Sequence, residues 1–337
     1  MFAWLRENDA TTNISAVSGG VNSTRIDDAR DALAAIFPGA LGDFLCWVPT
    51  LCALRQRHRG RLVLVARPSL LELVKMEDIT PVSVDRRELT SLFGAESNSL
   101  HDARSLLGGL AHVYSWTGHA DARFATRLSE VTAGRASVFP FRAIEPGEHA
   151  VDYFARCVGT TVEVANVYQV LAIDLPWASD FVAQHNLTAA SWLLIHPGSG
   201  ARRKNWRGFD DMVRRCRNQC GMRVVALYGP ADTQDGISAD VVARDLSLTQ
   251  VAGLLSLCSL YVGNDSGISH LAGAVGTRGV VLFGPSDPIT WAPRAEGLKV
   301  LHAPAVCDDC GPSTFCTHKL PVTRVLDSLG RTIGSPD

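Results

Sequence analysis

The sequence has little excess charge and no long apolar run. Its 32 Lys and Arg residues nearly balance 34 Asp and Glu residues, which gives a formal net charge of −2. So small a net charge indicates neither a nucleic-acid partner nor standing attachment to a membrane surface. No apolar run is long enough to cross a bilayer, and the N-terminus lacks the basic and apolar regions of an export signal.

The absence of an export signal bears on the cysteines and on location. The nine cysteines are expected to be mostly reduced thiols in a reducing compartment. The expectation is therefore a cytoplasmic protein, with at most transient association at the inner face of the membrane. Residues 1–30 are polar and rich in Ser, Thr, Asn and Asp, which predicts a flexible N-terminal extension.

Alternation of apolar and amphipathic segments predicts the fold class. Strand-like runs occur at 32–37, 61–67, 111–116, 191–200, 223–230, 260–267 and 279–285. Helix-like patterns lie between them, among them 44–58 and a short one around Leu70–Lys75. Buried strands alternating with helices are typical of parallel sheets in an α/β protein.

The length of 337 residues allows two such domains. We expect an N-terminal domain over 31–172, a linker over 173–189 and a C-terminal domain over 190–320, followed by a C-terminal helix and tail over 321–337. The sequence alone gives the last helix no packing partner.

A glycine-rich basic loop follows the strand-like run that begins at 191. Gly198, Ser199 and Gly200 leave backbone amides free to face a ligand, and Arg202, Arg203, Lys204 and Arg207 come just before a helix expected near Phe209. Cations are unfavourable at a helix N-terminus unless an anion joins them. An anion site is the favoured interpretation, and a solvated basic loop is the alternative.

The stretch "YVGNDSGISHLAGAVG" ends a strand at Asn264 and Asp265 and then begins a helix at Gly267 or Ile268. The free amides of that helix can hold a phosphate oxygen or a ribose hydroxyl. In its first turn the helix dipole favours neutral His270. The alternative makes Asp265 or Ser266 a simple N-cap and His270 a packed histidine.

A third glycine-flanked turn, "PGALGD", carries a carboxylate. Gly39 and Gly42 permit close backbone approach, and Asp43 opens a helix with an apolar face. The spacing does not match a dinucleotide-binding fingerprint, because no third glycine stands in register. Taken alone, Asp43 is interpreted as an N-cap.

Together these stretches resemble a known family. "GALGDFLCWVPTLCAL", "IHPGSGARRKNW", "YGPAD", "NDSGISHLAGAVGT" and "LFGPSDPITWAP" are similar, in order and spacing, to glycosyltransferase family 9, the ADP-heptose:lipopolysaccharide heptosyltransferases and their relatives. The resemblance implies a GT-B fold, in which two Rossmann-like domains with parallel sheets face each other across a cleft. It also implies an inverting enzyme of lipopolysaccharide biosynthesis that needs no metal or other cofactor.

The resemblance further implies roles for individual residues. Asp43 stands at the position of the catalytic base, beside Gly39 and Gly42 on the acceptor side. The donor phosphates would be held by residues at the matching motif positions, namely Ser199, Gly200, Lys204, Asp265, Ser266, Gly267 and His270. Asp232 loosely matches the acidic residue that holds the ribose.

The chemistry of the residues agrees with this implied mechanism. Departure of a nucleotide diphosphate requires stabilisation of its growing negative charge. Many glycosyltransferases use an Asp-x-Asp triplet and a divalent ion, but this sequence has no such triplet. Arg202, Lys204 and the amides of Ser266 and Gly267 are available instead.

Three features depart from the family pattern or add to it. The segment before the Gly-Asp turn has no arginine, which many family members carry there. Four residues that lie close in sequence are candidate ligands for zinc or iron, namely Cys307, Cys310, Cys316 and His318. The main expectation is nevertheless that the protein has no metal site. Trp116, followed by Gly118 and His119, is a candidate acceptor contact, with packing as the alternative.

The sequence therefore predicts a glycosyltransferase that moves a sugar, heptose from ADP-heptose, to a hydroxyl group. The acceptor is a glycan, a lipid-linked molecule or a small molecule, and no nucleic acid takes part. Two alternatives remain open: a nucleotide-sugar epimerase or hydrolase of the same fold, and a non-catalytic nucleotide-sugar binding protein.

Overall fold

The computed structural model describes residues 32–58, 60–94, 100–162, 168–187, 192–230, 232, 236–303, 306–307 and 311–333. The expected N-terminal extension lies outside these ranges. Within them, no helix is both long and apolar enough to span a bilayer.

The first domain is a five-stranded parallel sheet flanked by helices. Its strands are β1 (Leu33–Ile36), β2 (Leu62–Ala66), β3 (Ile79–Ser83), β4 (His112–Ser115) and β5 (Ala136–Val138), in the order β3-β2-β1-β4-β5. The helices are α1 (Leu41–Arg57), α2 (Pro68–Leu71), α3 (Arg87–Thr90), α4 (Leu100–Leu107), α5 (Ala122–Val131) and α6 (Ala150–Cys157), with short 3₁₀ turns at Ser91–Phe93 and Tyr168–Val170. Every residue of β1 and β2 is buried, as expected where helices cover both faces of a sheet.

The second domain repeats this architecture with a six-stranded parallel sheet. Its strands are β6 (Trp192–His196), β7 (Arg223–Tyr228), β8 (Val241–Arg244), β9 (Leu260–Asn264), β10 (Gly279–Phe283) and β11 (Leu298–His302), in the order β11-β10-β9-β6-β7-β8. The helices are α7 (Leu175–Gln184), α8 (Phe209–Cys220), α9 (Leu248–Leu257), α10 (Gly267–Ala274), α11 (Pro288–Trp291) and α12 (Val322–Ile333). The 3₁₀ turns Arg202–Lys204 and Thr317–Lys319 and the antiparallel strands β12 (Val306–Cys307) and β13 (Gly311–Phe315) complete it. The prediction of two parallel-sheet α/β domains is confirmed.

The strands that the sequence pattern did not show lie mostly at the sheet edges. β3, β5, β8 and β11 are the outer strands of the two sheets. Most residues of β3, β5 and β11 are partly buried, and those of β8 alternate between buried and exposed. They lack the continuous apolar run that marks a central parallel strand. The short helix expected around Leu70–Lys75 instead spans Pro68–Leu71, because Pro68 fits the first helical turn.

Two helices outside the predicted domain cores pack on the second domain. Helix α7 lies within the interval expected to be a linker, is capped by the Asp174 carboxylate accepting the Trp177 amide, and packs on α9. Helix α12 packs on α8 and on β10, so the last helix has its partner. The domain limits 31–172 and 190–320 stay a prediction.

The two domains meet where α1 and α10 begin. One cluster of buried apolar side chains includes residues of both helices, such as Phe44 and Leu271. A Cβ atom on Gly267 would lie 2.8 Å from the Leu41 Cβ and 3.0 Å from the Gly42 nitrogen. Only glycine at 267 therefore lets the two helix N-termini approach so closely, and this approach forms the wall of the site.

Candidate active site

A cavity of about 330 Å³ opens between the two domains at the N-termini of α1 and α10. Its lining comes from both halves of the chain: Ala40, Gly42, Asp43, Arg142, Gly200, Arg203, Lys204, Asp265, Ser266, Gly267, His270, Pro285, Ser286 and Trp291. The Gly-Asp turn, the basic loop and the Asp265–His270 segment, which are far apart in sequence, thus share one cavity.

Asp43 is not a helix cap. The N-cap of α1 is Ala40, which makes no side-chain capping bond, and Asp43 lies in the first turn. Asp43 is 8% exposed, and its carboxylate accepts a two-pronged hydrogen bond from Arg142, whose Nη2 lies 2.7 Å from Oδ1 and 2.8 Å from Oδ2. The N-cap interpretation is therefore wrong, because the carboxylate faces the cleft and not its own helix.

Arg142 is a site residue that the sequence analysis missed. It lies between β5 and α6, 99 residues from Asp43 in sequence. Its guanidinium carbon lies 5.3 Å from the ring centroid of Phe141 and 5.2 Å from that of Trp291 in the second domain. Such stacking between a guanidinium and aromatic faces is favourable. Arg142 thus joins Asp43 to the opposite domain, and no local sequence pattern signals this contact.

Lys204 and Asp265 form the charged pair on the second-domain side. Lys204 Nζ donates to Asp265 Oδ2 at 2.6 Å, and the Ser286 hydroxyl donates to the same oxygen. Asn264 fixes the loop that carries Lys204, because its amide donates to the Pro197 carbonyl at 2.7 Å and its oxygen accepts the Trp206 amide at 3.0 Å. The lysine is therefore held in place at the cavity.

The N-terminus of α10 supplies backbone donors. Ser266 occupies the N-cap position but makes no side-chain capping bond. Its hydroxyl instead lies 3.2 Å from His196 Nδ1, and Asp265 is engaged by Lys204. The interpretation of Asp265 or Ser266 as a simple capping side chain is thus wrong, while the free amides of the first turn remain suited to an anion.

His270 is buried at the same helix. Burial lowers the pKa of His270 to about 4, so the ring is neutral near pH 7. Its Nδ1 lies 3.6 Å from the Cys46 sulfur, and burial raises the pKa of that thiol. The direction of this contact depends on the tautomer of the ring, and Nε2 lies on the side of Gly42. His270 is therefore a packed, neutral histidine at the cavity wall.

Several residues predicted for the site lie beside the cavity and not in its lining. The Ser199 hydroxyl donates to Asn205 Oδ1 at 2.6 Å and so braces the basic loop. Arg202 and Arg203 are both exposed, but Arg203 lines the cavity and Arg202 does not. Asp232 faces inward, with its Oδ2 2.7 Å from the Gly229 nitrogen and 3.3 Å from His196 Nε2. The donor roles of these residues stay predictions.

Two predicted acceptor-side residues serve packing. Trp116 is 0% exposed and contacts the rings of Trp47 and Phe139, so the direct acceptor contact is wrong and the packing alternative holds. A Cβ on Gly39 would lie 2.4 Å from the Phe37 ring, so glycine here permits the aromatic packing. Neither residue lines the cavity.

The cysteine-rich segment is only partly described. Cys310 and the side chain of Cys307 lie outside the described part of the chain, while Cys316 is buried. In the part that the structure does describe, no three His, Cys, Asp or Glu side chains are placed to hold a metal ion.

Comparison with protein families identifies the chain. The model of "Glycosyltransferase family 9 (heptosyltransferase)" matches residues 126–314, which is more than half of the sequence. The chain belongs to glycosyltransferase family 9. It is accordingly a glycosyltransferase, as the sequence motifs predict. A search of curated proteins gives no match.

Solved structures of the family share the fold. The family 9 glycosyltransferase of Veillonella parvula superposes with a TM-score of 0.67 at 18% identity, covering 93% of this chain and 99% of that one. Escherichia coli heptosyltransferase WaaC with ADP gives 0.60 at 18% identity, with 89% and 99% covered. TibC of enterotoxigenic E. coli, described as an iron-containing dodecameric glycosyltransferase, gives 0.57 at 17% identity, with 90% and 76% covered.

Proposed function

We propose that this glycosyltransferase moves a heptose from ADP-heptose to a hydroxyl group of its acceptor, with inversion and without a metal. The observation that carries the proposal is the shared cavity: the Asp43 carboxylate stands on one domain, and Lys204 with the N-terminus of α10 stands on the other. A base and an anion site on opposite walls are what displacement of a nucleotide diphosphate by a hydroxyl requires.

In the proposed reaction Asp43 acts as the general base. The acceptor oxygen forms the new bond to the anomeric carbon while Asp43 takes the hydroxyl proton, and the bond from that carbon to the diphosphate oxygen breaks. Attack from the face opposite the leaving group inverts the centre. Arg142 holds the carboxylate in one orientation through its bonds to both oxygens. Such fixing of the reacting group lowers the entropic part of the barrier.

The departing diphosphate is stabilised by the second domain. Lys204 supplies a positive charge, and the amides at the start of α10 supply aligned donors. Arg203 adds a cation in the cavity lining. These groups perform the charge neutralisation that a divalent ion performs in other glycosyltransferases.

The donor assignment draws on the solved relatives. Heptosyltransferase WaaC was solved with ADP and with ADP-2-deoxy-2-fluoro heptose, and TibC with ADP-D-β-D-heptose. We extend this class of sugar donor to the present chain, whose cavity has hydrogen-bond donors and cations suited to the diphosphate. The acceptor class stays open between a glycan, a lipid-linked molecule and a small molecule.

The test is calorimetric binding of ADP, GDP, UDP and ADP-heptose in EDTA, together with elemental analysis of the purified protein for iron and zinc. We expect ADP and ADP-heptose to bind most tightly without added metal. Preference for UDP or GDP would discard the heptose donor and keep the mechanism. Binding that appears only when metal is restored would overturn the metal-free mechanism and point to the cysteine-rich segment.

The role of Asp43 is tested by Asp43→Asn, which keeps the size of the side chain and removes the base. Turnover with ADP-heptose and a competent acceptor should fall by about 10²- to 10⁴-fold, while ADP affinity stays within about threefold. Glu130→Gln, a carboxylate paired with Arg104 on the surface of the first domain, is the matched control and should keep full turnover. A parallel loss of ADP binding in Asp43→Asn would make Asp43 structural.

A further inference from the structure

A line of polar contacts runs beneath the cavity along the carboxyl ends of three neighbouring strands. His196 ends β6, which lies between β9 and β7 in the sheet. Ser266 follows β9 and Asp232 follows β7. The Ser266 hydroxyl lies 3.2 Å from His196 Nδ1, and His196 Nε2 lies 3.3 Å from Asp232 Oδ2. Only Ser266 of these three lines the cavity.

The Asp232 end of this line is an ionised carboxylate. Burial raises the pKa of Asp232, but hydrogen bonds from His196 and the Gly229 amide outweigh burial and leave the pKa below its ordinary value. A Cβ on Gly198 would lie 1.9 Å from the carboxylate, so the glycine is what admits it. A carboxylate only accepts hydrogen bonds, and His196 must therefore carry a hydrogen on Nε2.

The remaining ring nitrogen then decides where the Ser266 hydroxyl points. If Nδ1 carries no hydrogen, the single hydroxyl hydrogen is donated to it and is turned away from the cavity. If Nδ1 is protonated, it donates to the Ser266 oxygen, and the hydroxyl hydrogen is free to point into the cavity. An anion in the cavity favours the second arrangement, because it gains both a donor and a nearby positive charge.

We propose that His196, held by Asp232, is a positioning residue that aims the Ser266 hydroxyl at the donor diphosphate, and that diphosphate binding draws one proton from solvent onto His196 Nδ1. This proposal rests on the proposed function, since the diphosphate must occupy this cavity. The proton returns to solvent when the nucleoside diphosphate leaves. Asp232 then acts through His196, which differs from the ribose contact predicted for it.

The same arrangement assists bond cleavage. The leaving diphosphate gains negative charge as its bond to the sugar breaks. The hydrogen bond from the Ser266 hydroxyl to the diphosphate therefore becomes stronger as the bond breaks. An imidazolium beneath the cavity adds a positive charge that water does not screen well. Proton uptake by buried His196 thus adds a positive charge near the diphosphate in a mechanism that uses no metal ion.

Other charged groups stand near this line. Arg244 on β8 also lowers the pKa of Asp232. Around Ser266 stand the pair Lys204 and Asp265, and His270 in the first turn of α10. Of these, neutral His270 is the group that could take up a proton in place of His196, and the test separates the two histidines.

The test counts protons. Calorimetry of ADP binding at pH 7.5 in two buffers of different ionisation enthalpy gives the number of protons taken up, and the wild type is expected to take up as much as one per ADP. In His196→Asn the amide can donate to Ser266 without titrating, so the uptake should disappear, and ADP affinity should fall by about three- to tenfold because the positive charge is lost. In His196→Leu the uptake should disappear and the affinity should fall about tenfold or more.

Three further variants complete the comparison. His112→Asn removes another histidine that contacts a serine, Ser137 at 3.0 Å in the first domain, and should leave the uptake unchanged. Ser266→Ala should weaken ADP binding about tenfold and reduce the uptake by more than half, and it serves if His196→Asn folds poorly. His270→Gln should retain the uptake.

The outcomes are distinct. If ADP binds the wild type without proton uptake, the inference fails and the diphosphate site stands. If the uptake persists in His196→Asn, or is lost in His270→Gln, the proton belongs elsewhere and the inference is overturned. If none of the nucleoside diphosphates binds at all, the proposed function itself fails.

Discussion

At the scale of single residues, side chains that are similar in sequence differ in whether they line the cavity. Arg202 and Arg203 both lie in the 3₁₀ turn before α8, but only Arg203 lines the cavity. The segments "GPAD" (229–232) and "GPSD" (284–287) each end in an aspartate, and these two aspartates also differ. Asp287 accepts the Ile289 amide and caps α11, while Asp232 faces His196. Residue roles here follow from the path of each loop.

The two arginines give a matched pair of variants. Arg203→Met should weaken ADP binding by about three- to tenfold, because it removes a partly screened cation from the cavity. Arg202→Met should change the affinity by less than about twofold. Calorimetry in EDTA measures both. A larger loss in Arg202→Met than in Arg203→Met would restore Arg202 as the phosphate contact and contradict the cavity geometry.

At the scale of elements, the site depends on the meeting of α1 and α10. Their N-termini approach through Gly42 and Gly267, which places Asp43 and the free amides of α10 at one cavity. Helix α1 also packs on α6, which follows the segment of Arg142. Asp43, its partner Arg142 and the proposed anion site therefore keep their relative positions only if these helices keep theirs.

Gly267→Ala tests this contact. The added Cβ would lie 2.8 Å from the Leu41 Cβ and 3.0 Å from the Gly42 nitrogen, so one helix N-terminus must shift away from the other. We expect kcat/KM to fall by about 10²-fold, since a shift of about 1 Å misaligns the reacting groups. ADP affinity should fall less, because the proposed donor contacts come mainly from the second domain.

Gly109→Ala is the control, because a Cβ there meets nothing within 4 Å. It should retain wild-type kinetics. Normal kcat/KM in Gly267→Ala would show that the two helices do not stay in contact during turnover.

At the scale of the whole molecule, buried neutral histidines lie where the domains meet. His149 Nε2 donates to the Ala292 carbonyl at 2.8 Å across the interface, and its Nδ1 accepts the Val151 amide at the start of α6. His270 lies on the facing helix α10. Burial lowers the pKa of both rings, that of His270 to about 4. Protonation of either ring would remove an acceptor or bury a charge between the domains.

The molecule should therefore lose stability on mild acidification. The unfolded chain binds protons at these histidines near pH 6.5, whereas the folded state binds them only at lower pH. The unfolded state thus holds more protons below about pH 7, and the free energy of unfolding falls as the pH drops toward about 4. Each histidine contributes at most about 1.4 kcal/mol per pH unit.

Denaturant unfolding at pH 7 and pH 5 measures the effect. His270→Gln should reduce the loss of stability between these two pH values, because glutamine does not titrate. His149→Gln should also reduce this loss, for the same reason. The variants and wild type should show parallel behaviour between pH 7 and pH 8, where the histidines are neutral in both states. If both variants lose as much free energy of unfolding between pH 7 and pH 5 as the wild type, the loss comes from the carboxylates and not from these histidines.

Local patterns explain which parts of the fold could be predicted. The central strands β1, β2, β6, β9 and β10 are short apolar runs bounded by turns, so their burial follows from composition. The edge strands β3 and β8 carry a proline or alternating exposure and could not be distinguished from loops. An edge strand forms by pairing with an adjacent strand, and the local sequence does not show which strand that is.

The sequence by itself determined the alternating α/β architecture, the family, and the loops that reach the site, because turn residues and strand ends are encoded over a few neighbouring positions. Only the tertiary structure decided that Asp43 is held by Arg142, that Arg203 and not Arg202 lines the cavity, and that Ser266, His196 and Asp232 form one line. Those contacts join segments far apart in the chain, and their geometry is fixed by how two sheets and their loops pack against each other.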